Sequence, residues 1–319
     1  MPQPHLPNDP SGAENQLRKH YFLERYVIIA PKRGLRPNSF SHKEAAHKNP
    51  KEECHLCADN HEQALYKHPA SGKWQVKVIP NKFPALSLDN PEAYGSHEVI
   101  IETPDHDREF SELSHAEQLN VFAAYRHRLN ALSALDGIRY VQIWKNDGPL
   151  AGASIAHAHS QVLALPLIPP TVEAESMALD RYRGIHGSCA ICDLAIWEEK
   201  QGVRIIYSDK HLLVIAPYAA TAPFGAWLIP RRHEGNFSNL NAAELASLAT
   251  ALGKIAARLD GASMSFNWFL ANSLPHEDHH FVLKVEPRDT VWGGAELGTG
   301  IVINPVPPEY ATLWYQGKI

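Results

Sequence analysis

Along most of the chain, apolar positions come in short strand-length runs, and in two places they change to a helical period. Residues 26–30, 74–79, 98–102 and 138–144 read as strands in the first part. Between the last two, Ser114-His-Ala-Glu117 forms a capping box, where a hydroxyl and a carboxylate satisfy the free amides of a helix start. Val121, Phe122, Tyr125, Leu129 and Leu132 then share one helical face, and Gly137 stops the helix, predicting one over 114–132. Strands are predicted again at 212–215 and 226–229. A second helix follows over 241–259, opened by Asn241 and Glu244 and carrying Leu245, Leu248, Leu252, Ile255 and Leu259 on one face. Residues 1–20 are polar and proline-rich and read as an arm. Pro166, Pro169 and Pro170 mark a boundary, giving domains 1–170 and 171–319.

The second part repeats the first. Each begins with a Cys-x-x-Cys pair, Cys54/Cys57 and Cys189/Cys192. Cys57 to Ile79 is 22 residues and Cys192 to Ile215 is 23. His106 to Ser114 is 8 residues, as is His233 to Asn241, and cap to next strand is 24 in both (114 to 138, 241 to 265). Asn146 leads to His157 as Asn272 leads to His280. The pattern implies an α+β protein of two related halves, each an antiparallel sheet with one long helix packed on it.

Composition narrows the function. With 319 residues the chain can bury sizeable cores. It has no apolar run long enough for a membrane span and no signal-peptide pattern, so a cytoplasmic protein without a membrane partner is expected. A formal charge of −5 argues against bulk nucleic-acid binding. All four cysteines lie in the two Cys-x-x-Cys pairs of a chain with nineteen histidines, which favours metal over disulfides. A thioredoxin-like redox pair is the competing reading, but it wants a strand-to-helix setting that neither pair shows.

The repeat also assigns ligands. Two thiolates and two imidazoles are a closed tetrahedral donor set for zinc. The first set would be Cys54, Cys57, His106 and His157, the second Cys189, Cys192, His233 and His280. His55, His276 and His279 lie close enough to compete, and only the repeat spacing selects among them.

The halves differ at Asn146-Asp-Gly-Pro-Leu-Ala-Gly-Ala-Ser-Ile-Ala-His157-Ala-His159-Ser-Gln161. A bare His-x-His is an ordinary polar pair on a half-exposed strand. Here it follows a loop with Gly148, Gly152, Ala153 and Ser154, whose amides and hydroxyl can approach a phosphate. Gln161 continues the same face. Asn146 to His157 is 11 residues, but Asn272 to His280 is 8, without the glycine–serine loop. After His280, Val282 and Lys284 stand where His159 and Gln161 would be. The second half keeps the metal frame and loses the chemistry.

Asn-x-Gly…Ala-Gly-Ala-Ser-x-x-His-x-His-x-Gln resembles the active-site motif of the galactose-1-phosphate uridylyltransferase branch of the histidine-triad superfamily, and is close to the sister ADP-glucose phosphorylases. The resemblance covers nearly the whole chain and implies two tandem histidine-triad-like halves. It also implies a homodimer, with a partner tail completing each active site. By this resemblance His159 is the nucleophile that takes the nucleotide from a nucleoside diphosphate sugar, and Gln161 steadies the phosphoryl oxygens. Arg33, Arg36, Asn81, Phe83, Asn146, Gly152, Ala153 and Ser154 contact the substrate. In the tail, Gly293, Gly294 and Glu296 contact the sugar phosphate. Two departures bear on the substrate: Ala295 replaces the aromatic that usually precedes this glutamate, and Lys284 and Glu286 replace a second His-x-His that can hold another metal. The leading expectation is uridylyl transfer from UDP-glucose to a hexose 1-phosphate; the alternative is adenylyl transfer from ADP-glucose to phosphate. A zinc-ribbon interaction module is disfavoured, because Cys57 and Cys189 are 132 positions apart and the chain is acidic.

Overall fold

Each half lays down five strands of one sheet and one long helix packed on them, in the same order. The computed structural model describes residues 14–35, 50–57, 64–288 and 291–319. The first half runs β1 (Gln16–Lys19), β2 (Tyr26–Ile29), β3 (Tyr66–His68), β4 (Val76–Pro80), β5 (Ser96–Ile101), α1 (His115–Ser133), β6 (Tyr140–Asp147) and β7 (His159–Leu165). The chain continues through α2 (Pro170–His186), α3 (Ala190–Gln201), β8 (Ile205–Ser208), β9 (Leu212–Ile215) and β10 (Ala226–Pro230). It ends with α4 (Ala242–Gly261), β11 (Phe266–Ala271), β12 (Val282–Pro287), α5 (Gly294–Thr299), β13 (Val302–Asn304) and α6 (Pro308–Tyr315). Both capping boxes form: Ser114 with Glu117 starts α1, and Asn241 with Glu244 starts α4.

The two five-stranded antiparallel sets are joined. Strand order is β3-β4-β5-β7-β6 in the first half and β8-β9-β10-β12-β11 in the second, and β6 pairs antiparallel with β11. A single ten-stranded sheet results, with the join near a pseudo-twofold axis. Helices α1 and α4 pack together on one face, where Phe122, Tyr125, Leu129, Leu248, Leu252 and Leu259 share one core with Val78, Val162, Leu228 and Leu283. Burying each such side chain contributes about 1.5–3 kcal/mol. On the other face, Leu179, Ile191 and Leu194 of α2 and α3 cover β9, β10 and β12. Over β4 and β5, that face is covered by the turn at Cys54 and Leu56.

The structure corrects three expectations. The arm is partly a strand: β1 pairs with β2, and the guanidinium of Arg18, 3 % exposed, takes both carboxylate oxygens of Glu309 at 3.1 Å. A polar stretch stays ordered because its charge finds a distant partner. Pro170 opens α2 rather than only ending a domain, since proline's missing N–H costs nothing in a first helical turn. Asn272 is not the counterpart of Asn146. The ladders set Trp144 against Gln161 and Phe269 against Lys284, so Asn146 corresponds to Ala271.

Candidate active site

The two ligand sets assemble as the repeat implies. Cys54, Cys57, His106 and His157 bring one donor atom each within 4.8 Å of one another, and so do Cys189, Cys192, His233 and His280. Cys57 Sγ lies 3.2 Å from Nδ1 of both His106 and His157; Cys192 Sγ lies 3.3 Å from Nδ1 of both His233 and His280. Behind the cluster, His157 Nε2–H donates to the Thr103 carbonyl at 2.7 Å, and His280 Nε2–H donates to the Pro230 carbonyl at 2.7 Å. A carbonyl only accepts, so each ring is protonated at Nε2 and turns its Nδ1 lone pair toward the cysteines. The donors and their orientation fit a metal ion in both halves. A third group, Asp180, Glu277 and His279, is also close-set, with His279 and Asp180 in contact at 2.8 Å.

His157 lies just before β7, and His159 is its first residue. His159 is buried, and its Nδ1–H donates to the His157 carbonyl at 2.7 Å. The free lone pair of the neutral ring is therefore on Nε2. Burial holds its pKa below the ordinary histidine value, keeping the imidazole neutral and nucleophilic. Alternation along the strand puts Gln161 on the face that carries His159, beside Trp144 of β6 and Val99 of β5. Gln161 Oε1 is 2.9 Å from His97 Nε2. His97 Nδ1 accepts from the Ala85 amide, so its Nε2 carries the proton and donates to Gln161. The Asn81 side chain touches the same ring at 3.2 Å. His97 was missed by sequence reasoning; its only signal was its place on the inward-alternating face of β5.

The glycine loop is held from the other half. Gly148 and Gly152 have φ of +80° and +85°, and a Cβ on Gly148 would meet Ser265 Oγ at 2.3 Å. Asn267 of β11 donates from Nδ2 to Asn146 Oδ1 at 2.8 Å and to the Ala151 carbonyl at 2.9 Å. Asn146 Nδ2 in turn donates to the Gly152 carbonyl at 3.3 Å. Ala153 is half-buried and Ser154 exposed on the same loop. His159, Gln161, Asn81, Asn146 and Gly152 thus belong to one connected region. Phe83 is 78 % exposed, with its amide on Asn81 Oδ1. Arg33 is exposed in the turn after β2, and Arg36 lies outside the described residues. Gly293, Gly294 and Glu296 start the exposed helix α5, where Glu296 caps the Gly293 amide at 3.0 Å. Among the described residues, no hydrogen bond ties Arg33 or these tail residues to the His159 region.

At the matching place in the second half lies a cavity of about 500 Å³ bordered by Trp227, Phe269, Val282 and Lys284. Val282 and Lys284 stand in the registers of His159 and Gln161, and Lys284 Nζ is paired with Glu175 at 2.7 Å. No histidine stands at the register of His159 there.

A duplicated sheet with one paired-histidine strand and two Cys₂His₂ clusters defines a tandem histidine-triad-like protein. A family model described as galactose-1-phosphate uridyl transferase, N-terminal domain, matches residues 9–169. The chain is 34 % identical to ADP-glucose phosphorylase of Arabidopsis thaliana over 94 % of its own length and 93 % of the relative's. It is 25 % identical to galactose-1-phosphate uridylyltransferase of Thermotoga maritima, covering 93 % and 96 %. The crystal structure of the Arabidopsis thaliana ADP-glucose phosphorylase with bound ADP-glucose superposes with a TM-score of 0.84 at 29 % identity, covering 95 % of this chain and 98 % of that one. The protein belongs to the galactose-1-phosphate uridylyltransferase family, and it is a nucleotidyltransferase of that family. Among the described residues no helix is long and apolar enough to cross a membrane.

Proposed function

We propose that the protein transfers a nucleotide from a nucleoside diphosphate sugar through a covalent intermediate on His159. The observation that carries this reading is the hydrogen bond from His159 Nδ1 to the His157 carbonyl, which leaves a neutral, buried Nε2 as the nucleophile. In the first step, Nε2 forms a bond to the α-phosphorus, the bond to the bridging oxygen breaks, and hexose 1-phosphate leaves. In the second, an oxygen of an acceptor phosphate attacks that phosphorus and the N–P bond breaks. Gln161, oriented by His97, and the amides of the loop at Gly152–Ser154 would stabilise charge on the phosphoryl oxygens.

Cys54, Cys57, His106 and His157 would hold one zinc, and Cys189, Cys192, His233 and His280 a second. A closed thiolate–imidazole set supplies folding energy and rigidity rather than an open coordination position. Arg33, Arg36, Asn81 and Phe83 would contact the nucleotide. Gly293, Gly294 and Glu296 would reach the hexose of a neighbouring subunit in a homodimer, which accords with the exposed apolar surface around α5: Val291, Trp292 and Leu297 are 77, 46 and 72 % exposed.

ADP-glucose with phosphate as acceptor is the pair we favour, on the 34 % identity and 0.84 TM-score with the phosphorylase. UDP-glucose with galactose 1-phosphate is the second reading, on the family match and the uridylyltransferase relatives. Incubating the protein with each sugar nucleotide and weighing the intact chain decides between them. An adenylyl adduct from ADP-glucose, absent in His159→Ala, is expected; a uridylyl adduct alone would select the second reading, and no adduct from either would overturn the mechanism.

A further inference from the structure

The internal duplication supplies a control for every buried residue, because the second half keeps the fold without the nucleophile. Behind the start of β7, on the helix side of the sheet, the first half buries a connected cluster of four polar side chains. Lys145 Nζ donates to Glu102 Oε2 at 2.8 Å and lies 3.7 Å from Asp147. Ser160 Oγ donates to Glu102 Oε1, and the Tyr125 hydroxyl of α1 meets Ser160 Oγ at 2.5 Å. Tyr125, Lys145 and Ser160 are at most 1 % exposed, as is Glu102.

Register identifies their counterparts. Aligning His157 with His280 sets Ser160 on Leu283. Lys145 pairs with Ser160 and Leu270 pairs with Leu283, so Lys145 falls on Leu270. Ile100 pairs with Ser160 and Leu228 with Leu283, which sets Ile100 on Leu228 and Glu102 on Pro230. Tyr125 and Leu252 both stand 11 residues after their helix caps, Ser114 and Asn241. The counterparts are Leu252, Leu270, Leu283 and Pro230, all buried and all apolar. The same fold therefore closes around an oily quartet where no chemistry is done. A buried ion pair is seldom more stabilising than well-packed apolar residues, so stability does not account for the polar version.

Geometry shows what it does instead. Side chains of the cluster hold the first two residues of β7: Lys145 Nζ reaches the His159 carbonyl at 3.5 Å, and the Ser160 hydroxyl is tied to Glu102, whose backbone amide donates to the Ala158 carbonyl at 3.1 Å. The bond that fixes the His159 ring runs to the backbone immediately before this segment. We infer that Glu102, Lys145, Ser160 and Tyr125 are positioning residues that hold the backbone of Ala158–Ser160 so that His159 Nε2 faces phosphorus in line.

This rests on the reading of His159 as nucleophile, and the test separates the two. Glu102→Leu/Lys145→Leu removes both members of the buried ion pair together and gives position 145 the leucine of the second half, leaving the part-exposed Asp147 as the remaining charge nearby; Ser160→Ala is the milder variant should the double fail to fold. Melting temperature, metal content and the dissociation constant for the free nucleoside monophosphate are measured alongside the single-turnover rate of adduct formation from ADP-glucose or UDP-glucose, whichever labels the wild type. The double variant should keep its melting temperature and both metals, bind the monophosphate within about threefold, and form adduct on the order of 10–100-fold more slowly, the penalty of a misplaced nucleophile; Ser160→Ala should fall between it and wild type. A folded, metal-loaded double variant, or failing that Ser160→Ala, labelled at the wild-type rate overturns the inference. Absence of adduct in the wild type overturns both it and the parent mechanism.

Discussion

Asn267 belongs to the second half, yet removing its side chain should slow the chemistry proposed for the first. Its two amide hydrogens go to Asn146 Oδ1 and the Ala151 carbonyl, and Asn146 continues to the Gly152 carbonyl. Each bond contributes about 0.5–1.5 kcal/mol net, so Asn267→Ala removes about 1–3 kcal/mol of restraint from the glycine loop. If that restraint is expressed as loop placement in the transition state, the adduct-forming rate falls about 5- to 150-fold at 1.4 kcal/mol per decade. Half-burial of Asn267 favours the lower end, because water replaces part of what is lost. The assay is rapid-quench formation of the nucleotidyl-enzyme with the sugar nucleotide in excess, beside calorimetric melting. Asn272→Ala is the matched control: its Oδ1 accepts the Phe237 amide, away from the loop, and its loss should lower stability while leaving the rate within about twofold. A folded Asn267→Ala enzyme with an unchanged rate would refute the claim that the second half braces the loop.

Cys54→Ser should leave one metal per chain by elemental analysis and lower the melting temperature, whereas His159→Ala should keep both metals and melt like wild type. Burial and the neighbouring Asp147 push the Asp260 carboxyl up to about 6, so its charged form is disfavoured in the fold. Relative to Asp260→Asn, wild-type stability is intact below about pH 4 and is lost as pH rises through 6; the variant should therefore be more stable at pH 7 by at most about 3 kcal/mol and gain nothing at pH 4, as read from urea melts. Mixing inactive His159→Ala with Glu296→Ala should restore activity if the α5 residues complete a neighbour's site. Mixed chains that exchange subunits yet stay inactive would contradict that arrangement.

What the sequence disclosed was local or periodic. Both capping boxes, the apolar faces of α1 and α4, and the two cysteine–histidine clusters could be read because their signals lie within a few residues or recur at a fixed spacing. Contacts between distant residues of unremarkable type could not. Arg18 reaches Glu309, His97 reaches Gln161, and Asn267 reaches Asn146, none with a spacing that announces it. Asn272 misled because it matches Asn146 in residue type, whereas the ladders put Ala271 at that register, 9 residues before His280 where Asn146 is 11 before His157. Nothing in the spacing of Lys145 and Glu102 marks them as interior; the packing of α1 behind them does.

The pairing of β6 with β11 also bears on what the second half does for the first. Without β11, residues 144–147 would present unpaired amides and carbonyls in an extended row beside Trp144, an open template for strand addition by another chain. The second half occupies that template permanently. In it Val282 and Lys284 stand in the registers of His159 and Gln161, and the ladder of β11 against β6 is kept. By occupying that edge, β11 guards the sheet of the first half against pairing with another chain.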